Sequence, residues 1–334
     1  MPDAFDRYLV GMAGFYEVSG VSETDRNAFF NRSRSTISRA GMIGRGHSVR
    51  QTLSRGLSTL RSSDVDGLNL IVNGAAVVGD ADGRDVRAAP GAVQFRDLGR
   101  QAASRLDRVD LTVLVVPRTT APPVLLAREV HGLVIPPDQP GARLLRNHLS
   151  SLEGLAADLP DEQLETGIQA LLLIALRLIG GTASPAPEPV AAALYRTVRT
   201  VVARHVDSRI AAGAPAPDSL ALARAAGVSR ATLYRAFDAE GGVVRYIRER
   251  RLHHARTALR LRHERSETIA SIAERFGFAS ATHFSRQFRE RFGYLPSEVA
   301  PPVVPVGIAM SQGPIRHDLL VEWLENLKLR SDPR

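Results

Sequence analysis

The chain of 334 residues contains no cysteine and a single lysine, and none of its apolar runs is long. Without cysteine, the sequence excludes disulfide scaffolds, thiolate metal sites and cysteine nucleophiles. The most apolar stretch, residues 167–176, ends at Arg177 and is shorter than the ~20 residues that span a bilayer. The first residues lack the basic start and apolar core of a signal peptide. We therefore expect a soluble, cytoplasmic protein with no membrane partner.

The positive charge of the chain is concentrated in one segment. Residues 195–300 carry 19 arginines and 10 acidic residues, a charge of +9, whereas the whole chain carries +8. A localised positive field suits a domain that binds a polyanion, because affinity for a phosphate backbone comes largely from released counterions. Charge alone does not distinguish DNA from RNA or an anionic membrane. The length predicts two or three domains at ~100–200 residues each.

From about 45 to 118, the N-terminal half has the turn residues and alternating apolar residues that are typical of a β domain. Leu68, Leu70 and Val72 occupy alternate positions, Asn73-Gly74 supplies a hairpin turn, and Asp82-Gly83 and Pro90-Gly91 supply further turns. Short strands at regular spacing predict a barrel or sandwich. Together with the helical remainder, this predicts an α+β protein.

A helical hairpin is predicted at about 140–180, because leucines recur at helical spacing on both sides of Pro160. This apolar seam either covers the barrel or forms a dimer interface, and the family resemblance described below favours the interface. The predicted dimerisation residues are Leu164, Ile168, Leu171, Ala175 and Leu178. A sensor or dimerisation domain, residues 1–180, ends with this hairpin. The Pro-rich linker 181–189 comes next. Residues 190–300 then read as a helical DNA-binding domain, and 301–334 as a tail with one helix near 316–329.

Two copies of a helix-turn-helix pattern lie inside the basic segment. In the first, Asp218 and Ser229 are predicted to cap two short helices, the small Ala223 lets them approach, and Gly227 supplies the turn. The second repeats the pattern with Thr268 as cap and Gly277 at the turn, 50 residues later. Two copies in register favour a DNA-binding module over a chance match.

A continuous helix is predicted between the two copies, over residues 243–260. Its length of ~27 Å compares with the ~34 Å of one DNA turn. The second helix of each helix-turn-helix copy can therefore enter one of two successive major grooves from the same side of the duplex. Arg245, Arg248, Arg250 and Arg251 on this helix are candidates for phosphate contacts, although some must face away from DNA.

The segments GVSRATLYRAF (227–237) and IASIAERFGFASATHFSRQFRERFGYLPSEV (269–299) resemble the AraC/XylS family of transcriptional regulators. The pattern GF-x-S-x-x-x-F-S-R-x-F-R-x-x-F-G-x-x-P-S in the second segment is diagnostic, and the resemblance covers residues 199–300. Ala300 departs from the arginine that many members carry there, which we expect to matter little for binding. The segments 90–100 and 111–118 are more distantly similar to the cupin-like sensor domains of such regulators. The resemblance thus implies an N-terminal cupin-like β-barrel with a helical hairpin, followed by an all-α domain.

The resemblance also implies which side chains reach DNA. In the first copy they are Ser229, Arg230, Ala231, Thr232, Tyr234 and Arg235, and in the second Ser280, Ala281, Thr282, Ser285 and Arg286. An arginine can bind guanine O6 and N7 together. The alternative is that Arg235 and Arg286 are solvated or paired with glutamate, and Arg286 can also brace the domain beside Phe284 and Phe288.

These observations predict a sequence-specific transcriptional regulator, an activator that responds to an effector through its N-terminal domain. Its expected partners are promoter DNA, RNA polymerase, a small-molecule effector of unknown identity and a second copy of the chain. We expect no cofactor and no metal, because His47, His131 and His148 are scattered. An enzyme of the methyl-accepting repair type needs an acceptor cysteine, which is absent. A protein-interaction scaffold would not need the basic segment.

Overall fold

The computed structural model describes residues 4–38, 40–63, 65–118, 120–179, 189–214, 217–238, 241–262 and 265–301. The chain separates into two compact units, the first running to residue 181 and the second from 182 to 301. The first is built on antiparallel β-sheets and the second on helices, so the chain has the predicted α+β class. Most of the predicted linker 181–189, and the helix predicted near 316–329, lie outside the described residues.

The first unit contains two antiparallel sheets of five and six strands. The strands are β1 (Glu17–Ser19), β2 (Asn31–Ile37), β3 (Met42–Ser48), β4 (Gln51–Arg55), β5 (Gly67–Asn73), β6 (Val77–Ala81), β7 (Arg84–Ala88), β8 (Val93–Asp97), β9 (Ala102–Leu106), β10 (Val109–Pro117) and β11 (Val134–Ile135). The five-stranded sheet has the order β1-β4-β9-β6-β7 and the six-stranded sheet the order β11-β8-β5-β10-β3-β2. The strands therefore extend beyond the predicted region 45–118 on both sides. Those outside it are edge strands, and β1 and β2 are largely polar, so they lack the apolar alternation that signals a strand.

Of the predicted turns, Asp82-Gly83 joins two paired strands, whereas the hairpin predicted at Asn73-Gly74 does not form. Asp82 and Gly83 have positive φ values of 50° and 75° and join β6 to its partner β7, as type I′ turns require. Asn73-Gly74 instead leaves β5 for β6, a strand of the other sheet. The turn signal was correct, but the strands that it joins do not pair with each other.

The helices of the first unit are α1 (Ala4–Met12), α2 (Glu23–Asn27), α3 (Leu57–Ser62), α4 (Pro140–Leu155) and α5 (Asp161–Ile179). α4 and α5 pack on the six-stranded sheet, and leucines of both helices share one core with Leu68, Leu70 and Phe95. The second unit contains α6 (Pro189–Ala211), α7 (Ser219–Ala225), α8 (Arg230–Ala236), α9 (Val243–Arg260), α10 (Ile269–Arg275) and α11 (Ala281–Phe292).

The predicted dimerisation residues belong to the core of the first unit. Leu164, Ile168, Leu171 and Ala175 are buried against the sheet, and Leu178 packs against the same cluster. The apolar seam of α5 therefore covers the sheet, which was the alternative reading of its spacing. None of the four buried residues offers surface to a second chain in this conformation.

Candidate nucleic-acid interface

The two predicted helix-turn-helix motifs form as the local signals require. Asp218 and Ser229 cap α7 and α8 by accepting hydrogen bonds from the amides of Ala221 and Thr232, at 2.7 and 3.1 Å. Thr268 caps α10 through a reciprocal bond with Ser271. The turn residues Gly227 and Gly277 have φ values of 65° and 72°. A side chain is strained at such values, which is why glycine stands at both turns.

The first recognition helix, α8, has one buried and one exposed face. Leu233, Ala236 and the flanking Phe237 are buried. The predicted DNA-binding residues Arg230, Ala231, Tyr234 and Arg235 are exposed, and Thr232 is half-buried. Ser229 precedes the helix, and its hydroxyl both caps α8 and lies 2.9 Å from the Thr232 hydroxyl. The structure thus brings these six residues to the N-terminus and outer face of one short helix.

The second recognition helix, α11, is held by a column of aromatic side chains. Phe284, Phe288 and Phe292 recur every four residues on its buried face, with ring centroids 5.5 and 4.5 Å apart. Thr282 and Arg286 lie on the exposed face, with Ala281 and Ser285 half-buried beside them. Ser280 caps α11 by accepting a bond from the His283 amide at 3.1 Å. The aromatic column fixes which face of α11 is presented to solvent.

Arg235 and Arg286 are both exposed, and within the described part of the chain neither side chain makes a hydrogen bond or an ion pair. The proposed pairing with glutamate is therefore not observed, and Arg286 does not brace the aromatic column by a polar contact. The neighbouring Ser219 and Arg230 side chains lower the pKa of the Tyr234 hydroxyl. The first recognition helix thus presents a phenol beside a guanidinium that has no side-chain partner.

The arginines of α9 separate into those that hold the fold and those that remain exposed. Arg250 binds the Asp207 carboxylate of α6, with Nε at 2.9 Å from Oδ1. Arg251 is half-buried and donates to the Gly277 carbonyl at 3.4 Å. Arg245 and Arg248 are exposed. The guanidinium of Arg250 is therefore already held by an ion pair within the domain, as was expected of some of the four arginines, whereas Arg245 and Arg248 remain candidates for phosphate contacts.

The second motif is attached to α9 by polar contacts as well as by packing. Arg291 of α11 binds Glu249 and lies 3.1 Å from the His253 imidazole. Arg256 donates to the Tyr294 hydroxyl at 2.8 Å and lies over the Phe292 ring. These contacts fix α11 relative to the helix that connects the two motifs. Arg289, which is not among the residues predicted to reach DNA, is exposed on α11.

Polar side chains line the space between the two sheets of the first unit. Leu68, Leu70 and Val72 of β5 face the helices, so Asn69 and Asn73 face the five-stranded sheet, as do Gln94 and Arg96 of β8. Arg96 crosses the gap to the Asp80 carbonyl, at 2.8 Å. Among the described residues, buried amide atoms of Gln51, Asn69, Asn73 and Gln94 have no hydrogen-bond partner. Each costs ~1–3 kcal/mol when unsatisfied, so this interior suits a polar ligand or ordered water.

His131 lies in the interior of the first unit. His131 is buried, accepts a bond from the Asp97 amide at Nδ1 and faces the Gln101 carbonyl through Nε2, and burial lowers its pKa. No group of three potential metal ligands occurs in the described parts of the chain. Nor does any described helix combine the length and apolarity needed to cross a bilayer.

The chain is similar to one protein family model and to several solved structures. Residues 222–300 match the family model described as a helix-turn-helix domain. Among solved structures, the AraC-like transcriptional activator CuxR is 23% identical over 75% of this chain and 90% of its own, with a TM-score of 0.49. ToxT from Vibrio cholerae is 11% identical over 81% of this chain and 97% of its own, with a TM-score of 0.34. Fatty-acid-bound ToxT from Vibrio cholerae strain SCE256 is 12% identical over 85% and 98%, with a TM-score of 0.33.

The family match begins within α7, covers α8 to α11 with the helix that joins the two motifs, and ends at the predicted boundary, residue 300. The helix-turn-helix domain expected from the sequence motifs is thereby confirmed for this part of the chain. The chain carries a C-terminal helix-turn-helix domain.

Proposed function

We propose that this protein is a sequence-specific transcriptional regulator that inserts α8 and α11 into the major groove of DNA. The observation that carries the proposal is the pair Arg235 and Arg286. They occupy equivalent places on the two recognition helices, and both are exposed without an internal partner. Guanidinium groups in this state can fork onto guanine O6 and N7 without breaking any contact of the folded domain. The net positive charge of residues 195–300 supplies the sequence-independent part of the affinity.

The test is an Arg235→Ala variant of the full-length protein. A duplex selected from a random pool by the wild-type protein is compared with a scrambled duplex of the same composition. Loss of a bidentate contact to guanine is expected to cost ~1–3 kcal/mol on the selected duplex, or roughly 5- to 150-fold in affinity. Affinity for the scrambled duplex and the melting temperature are expected to stay unchanged, because Arg235 has no partner in the fold.

Arg265→Ala is the matched control, because Arg265 is also exposed but lies outside both recognition helices. Equal losses on both duplexes for Arg235→Ala would contradict base readout and indicate a phosphate contact. A wild-type protein that selects no sequence from the pool would contradict the proposed function itself.

We further propose that the regulator is an activator that acts with RNA polymerase in the cytoplasm. This follows from the resemblance of segments 227–237 and 269–299 to a family in which activation is the commoner mode. Transcription in vitro from a promoter carrying the selected site is expected to rise when the protein is added. A fall would identify a repressor.

The effector site is proposed between the two sheets of the first unit. One buried amide atom of each of Gln51, Asn69, Asn73 and Gln94 has no hydrogen-bond partner, and Arg96 is buried among them, which supports this placement because a bound polar molecule would satisfy these atoms. A guanidinium and four amide groups favour a neutral or anionic ligand with hydrogen-bonding groups.

A homodimer is proposed through the outward face of the α4–α5 hairpin. Leu144, Leu155 and Leu173 are 56%, 54% and 55% exposed there, on the side away from the sheet. Large leucines exposed to this extent on one hairpin gain apolar burial when a second copy covers them. This face replaces the buried seam of α5 that the sequence suggested.

A further inference from the structure

The last turn of α11 carries two arginines in opposite situations. Arg291 turns back onto α9, where it meets Glu249 and His253. Arg289 is exposed, and its side chain has no hydrogen bond or ion pair within the described part of the chain. It follows Thr282, Ser285 and Arg286 by seven, four and three residues, so it shares their face of the helix. The buried face is occupied by the aromatic column, which leaves Arg289 directed to the same side as the predicted base-reading residues.

We propose that Arg289 binds a DNA phosphate at the edge of the groove that α11 enters. The proposal rests on the proposed function and adds Arg289, which lies within the diagnostic pattern but is not among the residues predicted to reach DNA. Residues near the N-terminus of a recognition helix contact base edges. Arg289 lies ~10 Å further along α11 than Thr282, since each residue adds ~1.5 Å. In a major groove ~12 Å wide, that displacement brings its side chain to the sugar-phosphate wall.

A purely structural role for Arg289 predicts something different. A cation in the last turn of a helix interacts favourably with the helix dipole. Such a contribution would appear in the stability of the unbound protein and would leave the salt dependence of DNA binding unchanged. A phosphate contact reverses this pattern, because it releases counterions only when DNA is bound.

The experiment measures affinity of the full-length protein for the selected and the scrambled duplex between 50 and 300 mM KCl, a range of about sixfold in salt concentration. For Arg289→Ala, the slope of log affinity against log salt is expected to fall in magnitude by about 0.9 on both duplexes. At low salt the affinity is expected to fall roughly tenfold on each, so the specificity ratio is retained. Arg289→Gln is expected to behave like the alanine variant, and Arg265→Ala like wild type.

Each other outcome overturns the proposal in an identifiable way. A loss confined to the selected duplex would make Arg289 a base-reading residue. An unchanged slope with a lower melting temperature would assign it to the helix dipole. Failure of the wild-type protein to bind either duplex would overturn the proposed function and this contact with it, whereas normal wild-type selectivity with an unaffected Arg289→Ala variant would overturn the contact alone.

Discussion

Asp207 is expected to hold the first helix-turn-helix motif in place through its contacts to α9. Its carboxylate accepts hydrogen bonds from Arg250 Nε at 2.9 Å and from His254 Nε2 at 3.1 Å. The three side chains are 22%, 15% and 13% exposed, respectively. An exposed ion pair contributes ~0–1 kcal/mol, whereas removing one partner of a buried pair costs ~3–5 kcal/mol. For this partly buried cluster we expect Asp207→Asn to cost ~2–3 kcal/mol.

The measurement is amide hydrogen exchange of the full-length protein, which reports on α6 and α9 separately from the first unit. A cost of ~2–3 kcal/mol corresponds to exchange that is roughly 30- to 150-fold faster in these helices, provided that exchange is limited by their opening equilibrium. Glu274→Gln is the control, because Glu274 is exposed on α10 of the same unit. Unchanged protection of α6 and α9 in Asp207→Asn would refute the assigned role.

The same cluster predicts the direction of a pH effect. Burial tends to raise the pKa of Asp207, but the hydrogen bond with His254 and the charge of Arg250 outweigh it, so its pKa lies below the ordinary value of 3.8. A lowered folded-state pKa contributes stability that is complete above the unfolded value and is lost as the pH falls through the folded value. The difference between wild type and Asp207→Asn is therefore expected to be full at pH 7 and to vanish well below pH ~3.8. A difference that grew on acidification would contradict this account.

Two further perturbations test the first unit. Leu171→Lys places a charge in the core and is expected to unfold this unit. Leu173→Lys, on the exposed face, is expected to keep the circular dichroism spectrum and to convert the dimer seen by sedimentation to a monomer. A wild-type protein that is monomeric at micromolar concentration would refute the dimer. Arg55 is fully buried and donates to the carbonyls of Phe15, Val65 and Leu98. Arg55→Met leaves these carbonyls unpaired, at a cost of ~1–3 kcal/mol each. We therefore expect the free energy of unfolding, measured in urea, to fall by more than ~3 kcal/mol. A fall below ~1 kcal/mol would show that water replaces the guanidinium.

Most of the DNA-binding domain was predictable from the sequence because its signals are local. The caps Asp218, Ser229 and Thr268 act on amides three residues away, and the turn glycines need only their own φ values. The helix over 243–260 has the predicted bounds. Leu233 and the phenylalanines of α11 are buried as their spacing indicates. Such features depend on interactions within about one helical turn, which the residue order specifies directly.

The β-sheets and the interfaces of the hairpin required the tertiary structure. Asn73-Gly74 signalled a turn, but no local property showed that β5 pairs with β10 and β8 rather than with β6. The apolar seam of α5 has the same spacing whether it covers a sheet or meets a second chain. Only the packing of Leu171 and its neighbours on the six-stranded sheet decided which face is covered.

The tertiary structure also determined which arginine side chains are exposed and which are held in ion pairs. Arg248 and Arg250 lie two residues apart on α9, as Arg289 and Arg291 do on α11. Residue type alone does not show which arginine of each pair is exposed and which is in an ion pair. Arg250 is neutralised by a carboxylate 43 residues away and Arg291 by one 42 residues away. The sequence by itself determined that a basic domain with two recognition helices exists. Which of its guanidinium groups remain free for DNA depended on ion pairs between helices that are distant in the chain, because a charge can be neutralised only by a partner that folding brings within a few ångströms of it.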